Sequence, residues 1–361
     1  MLKRIIIIFS FAIITNLSAQ DKKYYFYNPE NDFGSDLLFN PLTLMINGGF
    51  DMLRNGGHNK NIFELKYGLG YKNIISNLKD PFTNIKAYGW NKFISQEVWN
   101  FKLNKDEANF IPNIVDHTIG NGMQYAKMEE WLDYHNYPMP KLFSFLITTS
   151  YQVTNEVLEN GRYQGPNIDS IADIYIFNTL GFLIFEFDAV KYFFSKTLPM
   201  YEWNLQPMFN INNNYLENAG QQYIVKKELP IKNISGFVYW GLNGIAGLSY
   251  QYNEIHNFSI GAGQVTNKIR DNYSHGLRFF SPDLDGALAF FYDKNNSLLL
   301  SALLTGPRIP NLRINIYPGL ISFGSFSPGI FLGVGKWDNF IIGINFTHYI
   351  PFSFALGKEI R

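Results

Sequence analysis

Short runs of alternating residues fill the last third of the chain, residues 232–350, and constrain its fold more than any other feature. Phe340, Ile342, Ile344 and Phe346 share one parity, with Gly343, Asn345 and Thr347 on the other. Leu312, Ile314 and Ile316 are interleaved with Asn311, Arg313, Asn315 and Tyr317. Phe258, Ile260 and Ala262 are interleaved with Ser259, Gly261 and Gly263. A period of two is what a β-strand needs when its faces meet different media. Here the second face is mostly Gly, Ser, Asn and Thr rather than Lys and Glu. That pattern predicts an antiparallel transmembrane β-barrel with lipid outside and a polar lumen.

The N-terminus agrees with this placement. Lys3 and Arg4 precede an apolar run, Ile5 to Ile14, that is too short to span a bilayer, and Asn16-Leu17-Ser18-Ala19-Gln20 offers a cleavage site after Ala19. Residues 1–19 are therefore expected to be an export signal, with the mature chain in the outer membrane. The chain has no cysteine, so disulfides and thiolate metal sites are excluded. Charged residues make up 17%, below the roughly 25% usual for soluble domains, and aromatics another 17%. Phe and Tyr at that abundance suit a barrel wall with aromatic girdles, although a large soluble β-protein has the same composition. The net charge is zero and no basic run occurs, which argues against a nucleic-acid partner. The expected partners are outer-membrane lipid and the machinery that assembles barrels there. The chain departs from many such barrels by ending Lys358-Glu359-Ile360-Arg361 rather than on an aromatic residue.

Four segments are expected: the signal, an N-terminal segment 20–109 with the first barrel strands, a helical insert 110–196, and the remaining strands in 197–361. In the N-terminal segment Phe63, Leu65, Tyr67, Leu69 and Tyr71 alternate with Glu64, Lys66, Gly68 and Gly70, which reads as a strand. Asn47-Gly48-Gly49 and Asn55-Gly56-Gly57 read as turns. In the insert, Gln124 to Tyr134 reads as helix. A second helix runs from Pro140 towards Asn160 with Gly161 as its stop, and a third begins at Asp169 or Ser170. The strands total about 10–12. Trp240, Tyr250, Tyr252, Tyr292, Trp337 and Tyr349 fall near strand ends, where a girdle places such side chains.

The insert carries the chain's chemistry-bearing cluster. In order it contains Asp116-His117, then Asn155-Glu156-x-x-Glu159, then Asp169, Asp173 and Asn178-x-x-Gly181. This order resembles the polar skeleton of VanZ-like membrane families and of bacterial envelope-protein domains whose activity is not established. The resemblance covers residues 116–186 and implies an envelope location and architecture, not a reaction. Glu156 and Glu159 share a helix face, as do Asp169 and Asp173. If their helices pack antiparallel, His117, Glu156, Glu159, Asp169, Asp173 and Asn178 can converge. Such a set suits a divalent metal or an acid–base pair. The plain alternative is structural, with Asp169 capping a helix and the glutamates on a solvated face.

Three functions compete. The first is an outer-membrane barrel with a structural, solute-passage or docking role in the cell envelope, with no catalytic residues and no cofactor. The second is an envelope enzyme acting on lipid or lipopolysaccharide through His117 and the carboxylates. The third is a soluble periplasmic β-rich binding protein. No Gly-x-Ser-x-Gly, His-Glu-x-x-His, P-loop or dinucleotide motif points to a particular reaction.

Overall fold

Alternation in the C-terminal half produces strands at nearly every expected place. The computed structural model describes residues 24–54, 59–101, 111–162, 168–241, 243–274, 277–306, 311–335, 339–346, 348–349 and 353–358; side chains of 267–282 lie outside that description. The strands are β1 (Met200–Glu202), β2 (Met208–Asn210), β3 (Tyr215–Glu217), β4 (Gln222–Glu228), β5 (Ile234–Gly241), β6 (Asn243–Gln251), β7 (His256–Ser274), β8 (Leu277–Lys294), β9 (Ser297–Thr305), β10 (Asn311–Ile316), β11 (Gly329–Val334), β12 (Phe340–Asn345) and β13 (Ser353–Gly357). Among the described residues they form one sheet in the order β1-β4-β5-β6-β7-β8-β9-β10-β11-β12-β13-β2-β3. Every pairing is antiparallel except β13 with β2. The count of thirteen exceeds the expected 10–12, because three-residue strands such as β3 carry too little pattern to be read.

Residues 277–294 form one long strand, β8, paired with β7 along its length. Asn295 and Asn296, both left-handed (φ 49° and 62°), make the two-residue β8–β9 turn. Asparagine tolerates that conformation, and its twist suits a hairpin.

The sheet's two faces are chemically distinct. On one, Phe237, Tyr239, Ile245, Ala289 and Phe291 are buried and pack with Trp203, Tyr317 and Leu38 into the main apolar core. On the other, Val238, Leu248, Ile260, Leu288, Phe290 and Leu304 are exposed. The register makes that exposed set contiguous: Leu248 lies opposite Ile260, Ile260 opposite Phe290, and Leu288 opposite Leu304. Tyr250, Tyr252 and Tyr349 are exposed as a girdle requires, but Trp240 stacks on buried Tyr223, with ring centroids 4.6 Å apart. Trp337 lies outside the described residues.

The N-terminal half corrects the expectation. No strand occurs among the described residues before Met200; the helical part spans residues 34–197 rather than 110–196. Its helices are α1 (Gly34–Leu37), α2 (Pro41–Gly49), α3 (Tyr67–Lys79), α4 (Pro81–Tyr88), α5 (Trp90–Lys92), α6 (Ile111–Val115), α7 (Asn121–Tyr134), α8 (Pro140–Glu159), α9 (Asp169–Ala172), α10 (Thr179–Ile184) and α11 (Asp188–Tyr192). Four π-helical turns extend them: Phe93–Val98, Asp116–Gly120, Asp173–Asn178 and Phe193–Thr197.

The segment read as a strand at 63–71 leads into α3. Its true period is Gly70, Ile74 and Asn77, the buried face of a helix, and two of those three are not apolar. Gly70 is required there, because a Cβ would lie 1.9 Å from the Val157 carbonyl of α8. Asn47-Gly48-Gly49 closes α2 instead of forming a hairpin, and Gly48 lies against the Tyr151 ring. The export signal and Asn55-Gly56-Gly57 fall outside the described residues.

Buried ion pairs tie the two halves together. Lys127 of α7 meets Asp36 of α1 at 2.8 Å and Glu202 of β1 at 3.1 Å, and Lys60 meets Glu217 of β3 at 3.1 Å. No single described helix is long and apolar enough to cross a membrane; the helical stretches Asp169–Ile184 and Asp188–Thr197 pass by length and composition only as a pair bent by 83°.

Candidate functional site

Three of the four π-helical turns bring side chains to one place. A π turn widens the helix by one residue and turns side chains off the regular face, which is why such turns recur at functional sites. Asp116–Gly120 carries His117, Asp173–Asn178 carries both Asp173 and Asn178, and Phe93–Val98 carries Glu97. The long helix α8, opened by Pro140 as expected, delivers Glu156 from its last turn. The first two turns approach closely through Gly181, where a Cβ would lie 2.6 Å from the Thr118 carbonyl.

One ligand atom from each of His117, Glu156 and Asp173 lies within 4.8 Å of the others. Glu156 and Asp173 are buried, and the partly exposed His117 is the member nearest to solvent. His117 Nε2 is 3.7 Å from Asp173 Oδ2, and His117 Nδ1 is 2.9 Å from Asn178 Oδ1. Asn178 Oδ1 also accepts from Asn121 Nδ2 at 2.9 Å, and Asn121 Oδ1 accepts from the Tyr151 hydroxyl at 2.5 Å. Asn160, which follows α8, holds the Glu156 end of the site by donating to the Glu156 carbonyl at 2.8 Å.

Of the six residues anticipated from sequence, the fold thus unites His117, Glu156, Asp173 and Asn178. Glu159 is half-buried and is not among the ligand atoms that converge. Ile168 occupies the N-cap position of α9 and Asp169 is its first residue, one place beyond the cap position expected for it. The Asp169 carboxylate acts on Glu97. Sequence reasoning missed Glu97, Tyr88, Asn121 and Tyr151. Glu97 and Tyr88 lie in the stretch assigned to barrel strands, and an isolated Asn or Tyr in a helix carries no spacing signal.

Glu97 is fully buried beside this site. Burial, then the charge of Asp169, lifts its carboxyl well above the usual range; Asp173 adds to the rise, and a 2.7 Å hydrogen bond from Tyr88 opposes it. The native carboxyl therefore holds its proton to higher pH than an exposed glutamate does.

The consequence for stability follows in sign. Unfolded glutamate titrates near about 4.3, so folding takes up a proton above that pH. The stabilisation is complete below about pH 4.3 and declines as pH rises towards the higher native value, by at most about 1.4 kcal/mol per pH unit. Glu97→Gln is expected to match the parent near pH 4 and to exceed its stability at pH 7–8. Melting temperature measured in micelles across that range checks this; parallel pH profiles for the two proteins would refute it.

No family model, no curated protein and no solved structure matches this chain.

Proposed function

We propose that this chain is an outer-membrane protein whose sheet closes into a lipid-embedded barrel and anchors a helical half in the cell envelope. The observation that carries this reading is the contiguous apolar face presented by β5 to β12 on the side away from the core. Exposed apolar side chains occur on all soluble proteins, but a patch running across this many strands marks contact with lipid or protein. The parity that faces inward carries Gly247, Ser249, Ser259, Ser301 and Asn315, the small and polar residues of a barrel interior.

Chain connectivity supports closure. In the sheet order, β1 and β2 stand eleven strand positions apart, which on a flat sheet is about 53 Å at about 4.8 Å per strand. The five residues 203–207 join them and can reach only about 20 Å. A curled sheet would bring those edges within reach of so short a link. The Trp203 and Leu205 N–H groups donate to the Gln222 and Gly220 carbonyls, and the Ile211 N–H donates to the Ala355 carbonyl, which supports that reading.

Trp203, Tyr317 and Phe291 pack essentially inaccessible to solvent against the sheet's core face, so the reading favours an anchoring and docking role over solute passage. Assembly machinery of the outer membrane and its lipid are the partners this role needs.

A second reading, an envelope enzyme acting on lipid or lipopolysaccharide, is favoured by the convergence of His117, Glu156 and Asp173.

Fractionation tests the principal reading. The expected result is a chain that stays with the membrane pellet through alkaline carbonate and is released by detergent. A monomer freely soluble without detergent would overturn it.

A further inference from the structure

We propose that His117, Glu156 and Asp173 form a binding site for one first-row divalent cation of the Zn²⁺ or Mn²⁺ type. The inference deepens the reading of the helical half as the working end of the molecule.

Proximity alone does not carry it; the anchoring of His117 does. The Tyr151 hydroxyl donates to Asn121 Oδ1, which leaves Asn121 Nδ2 to donate to Asn178 Oδ1. Asn178 Oδ1 is an acceptor only, so the 2.9 Å contact with His117 Nδ1 places a proton on Nδ1. The opposite ring nitrogen, Nε2, faces Asp173 Oδ2 at 3.7 Å, with a Glu156 oxygen in the same small space. That separation is too long for a hydrogen bond and leaves room for a cation between the three groups.

The Asn178 contact is the arrangement that metal-bound histidines show. The far ring nitrogen donates to a fixed acceptor, which sets the tautomer and aims the ligand nitrogen. Here the fixed acceptor is itself oriented by Asn121 and Tyr151, all three being buried. Ligand atoms around a tetrahedral Zn²⁺ at about 2.0–2.1 Å stand about 3.4 Å apart, so groups within 4.8 Å of one another need to close by at most about 1.4 Å. One imidazole and two carboxylates suit Zn²⁺ or Mn²⁺ better than Ca²⁺, which takes oxygen ligands alone, or Cu(I), which takes sulfur. His117, at the solvent side, leaves a place for water or substrate.

The test uses the full chain in detergent micelles, stripped with chelator and titrated with Zn²⁺ and separately with Mn²⁺. One site per chain is expected. Asp173→Asn and His117→Ala should abolish binding or weaken it at least about 100-fold, and Asn178→Ala should weaken it by about 10–100-fold with stoichiometry kept. Glu159→Gln should bind as the parent does. No binding of either ion at millimolar concentration, or equal binding by all variants, would overturn the site.

Should His117→Ala fail to fold, ¹⁵N chemical shifts of the imidazole in the unaltered, metal-free chain decide the matter. A neutral ring protonated on Nδ1 at pH 7 supports the site, and an imidazolium paired with Asp173 overturns it. Binding in micelles is independent of bilayer insertion, so this result and the fractionation result can fail separately.

Discussion

Replacing Lys127 by Met is expected to cost about 3–5 kcal/mol, because it strands the buried Glu202 carboxylate and the partly buried Asp36 carboxylate at once. Lys127 is fully buried, and its Nζ is shared between Asp36 and Glu202 and sits 4.5 Å from the centre of the Phe39 ring. Burial alone would push its pKa down, but the two carboxylates reverse that and hold the ammonium above its ordinary value. The lysine therefore stays charged throughout the physiological range. Asp36 belongs to α1 and Glu202 to β1, so the ammonium also couples the helical half to the sheet. Denaturant midpoints in micelles measure the loss. Adding Asp36→Asn and Glu202→Gln to Lys127→Met should recover most of it, since the cost arises from uncompensated charge rather than from a missing contact. A loss below about 1 kcal/mol would show that the carboxylates find other partners.

The second large effect separates a lipid-facing wall from a wet one. Ile260 lies midway along the part of β7 that pairs with β6, on the outer face, with 67% of its surface exposed. If acyl chains cover that face, Ile260→Arg should cost about 2–4 kcal/mol for refolding into vesicles. If water covers it, an exposed substitution of this kind should fall within about 0.5 kcal/mol of neutral. Tyr252→Arg, in the turn at the end of β6, serves as the rim control, with an expected cost of about 0–1 kcal/mol. Equal and small effects at both positions would remove the membrane from the account, because depth dependence is what only a bilayer supplies.

The sequence by itself determined the strands and much of the site. Phe340–Asn345 and Asn311–Ile316 were legible because each residue's side is fixed by its parity, and parity is a local property of the chain. The helix from Pro140 was equally legible, since a proline at its first position and a glycine beyond its end mark both limits. The order His117, Glu156, Asp173, Asn178 was visible because polar residues at helical spacing in an apolar stretch stand out.

Tertiary structure decided the rest. At 63–71 the glycines imitated a polar strand face, and only the packing of Gly70 on the Val157 carbonyl shows that closeness, rather than alternation, selected them. Glu159 and Asp173 are indistinguishable as carboxylates on helical segments; a π-helical turn aims Asp173 at His117, and one extra residue per turn leaves no mark in composition. Asn121 and Tyr151 became part of the site solely through contacts 30 residues apart in sequence. Local pattern specifies which face a side chain takes. Which faces meet depends on shape and charge brought together by folding, and that information is distributed over the whole chain.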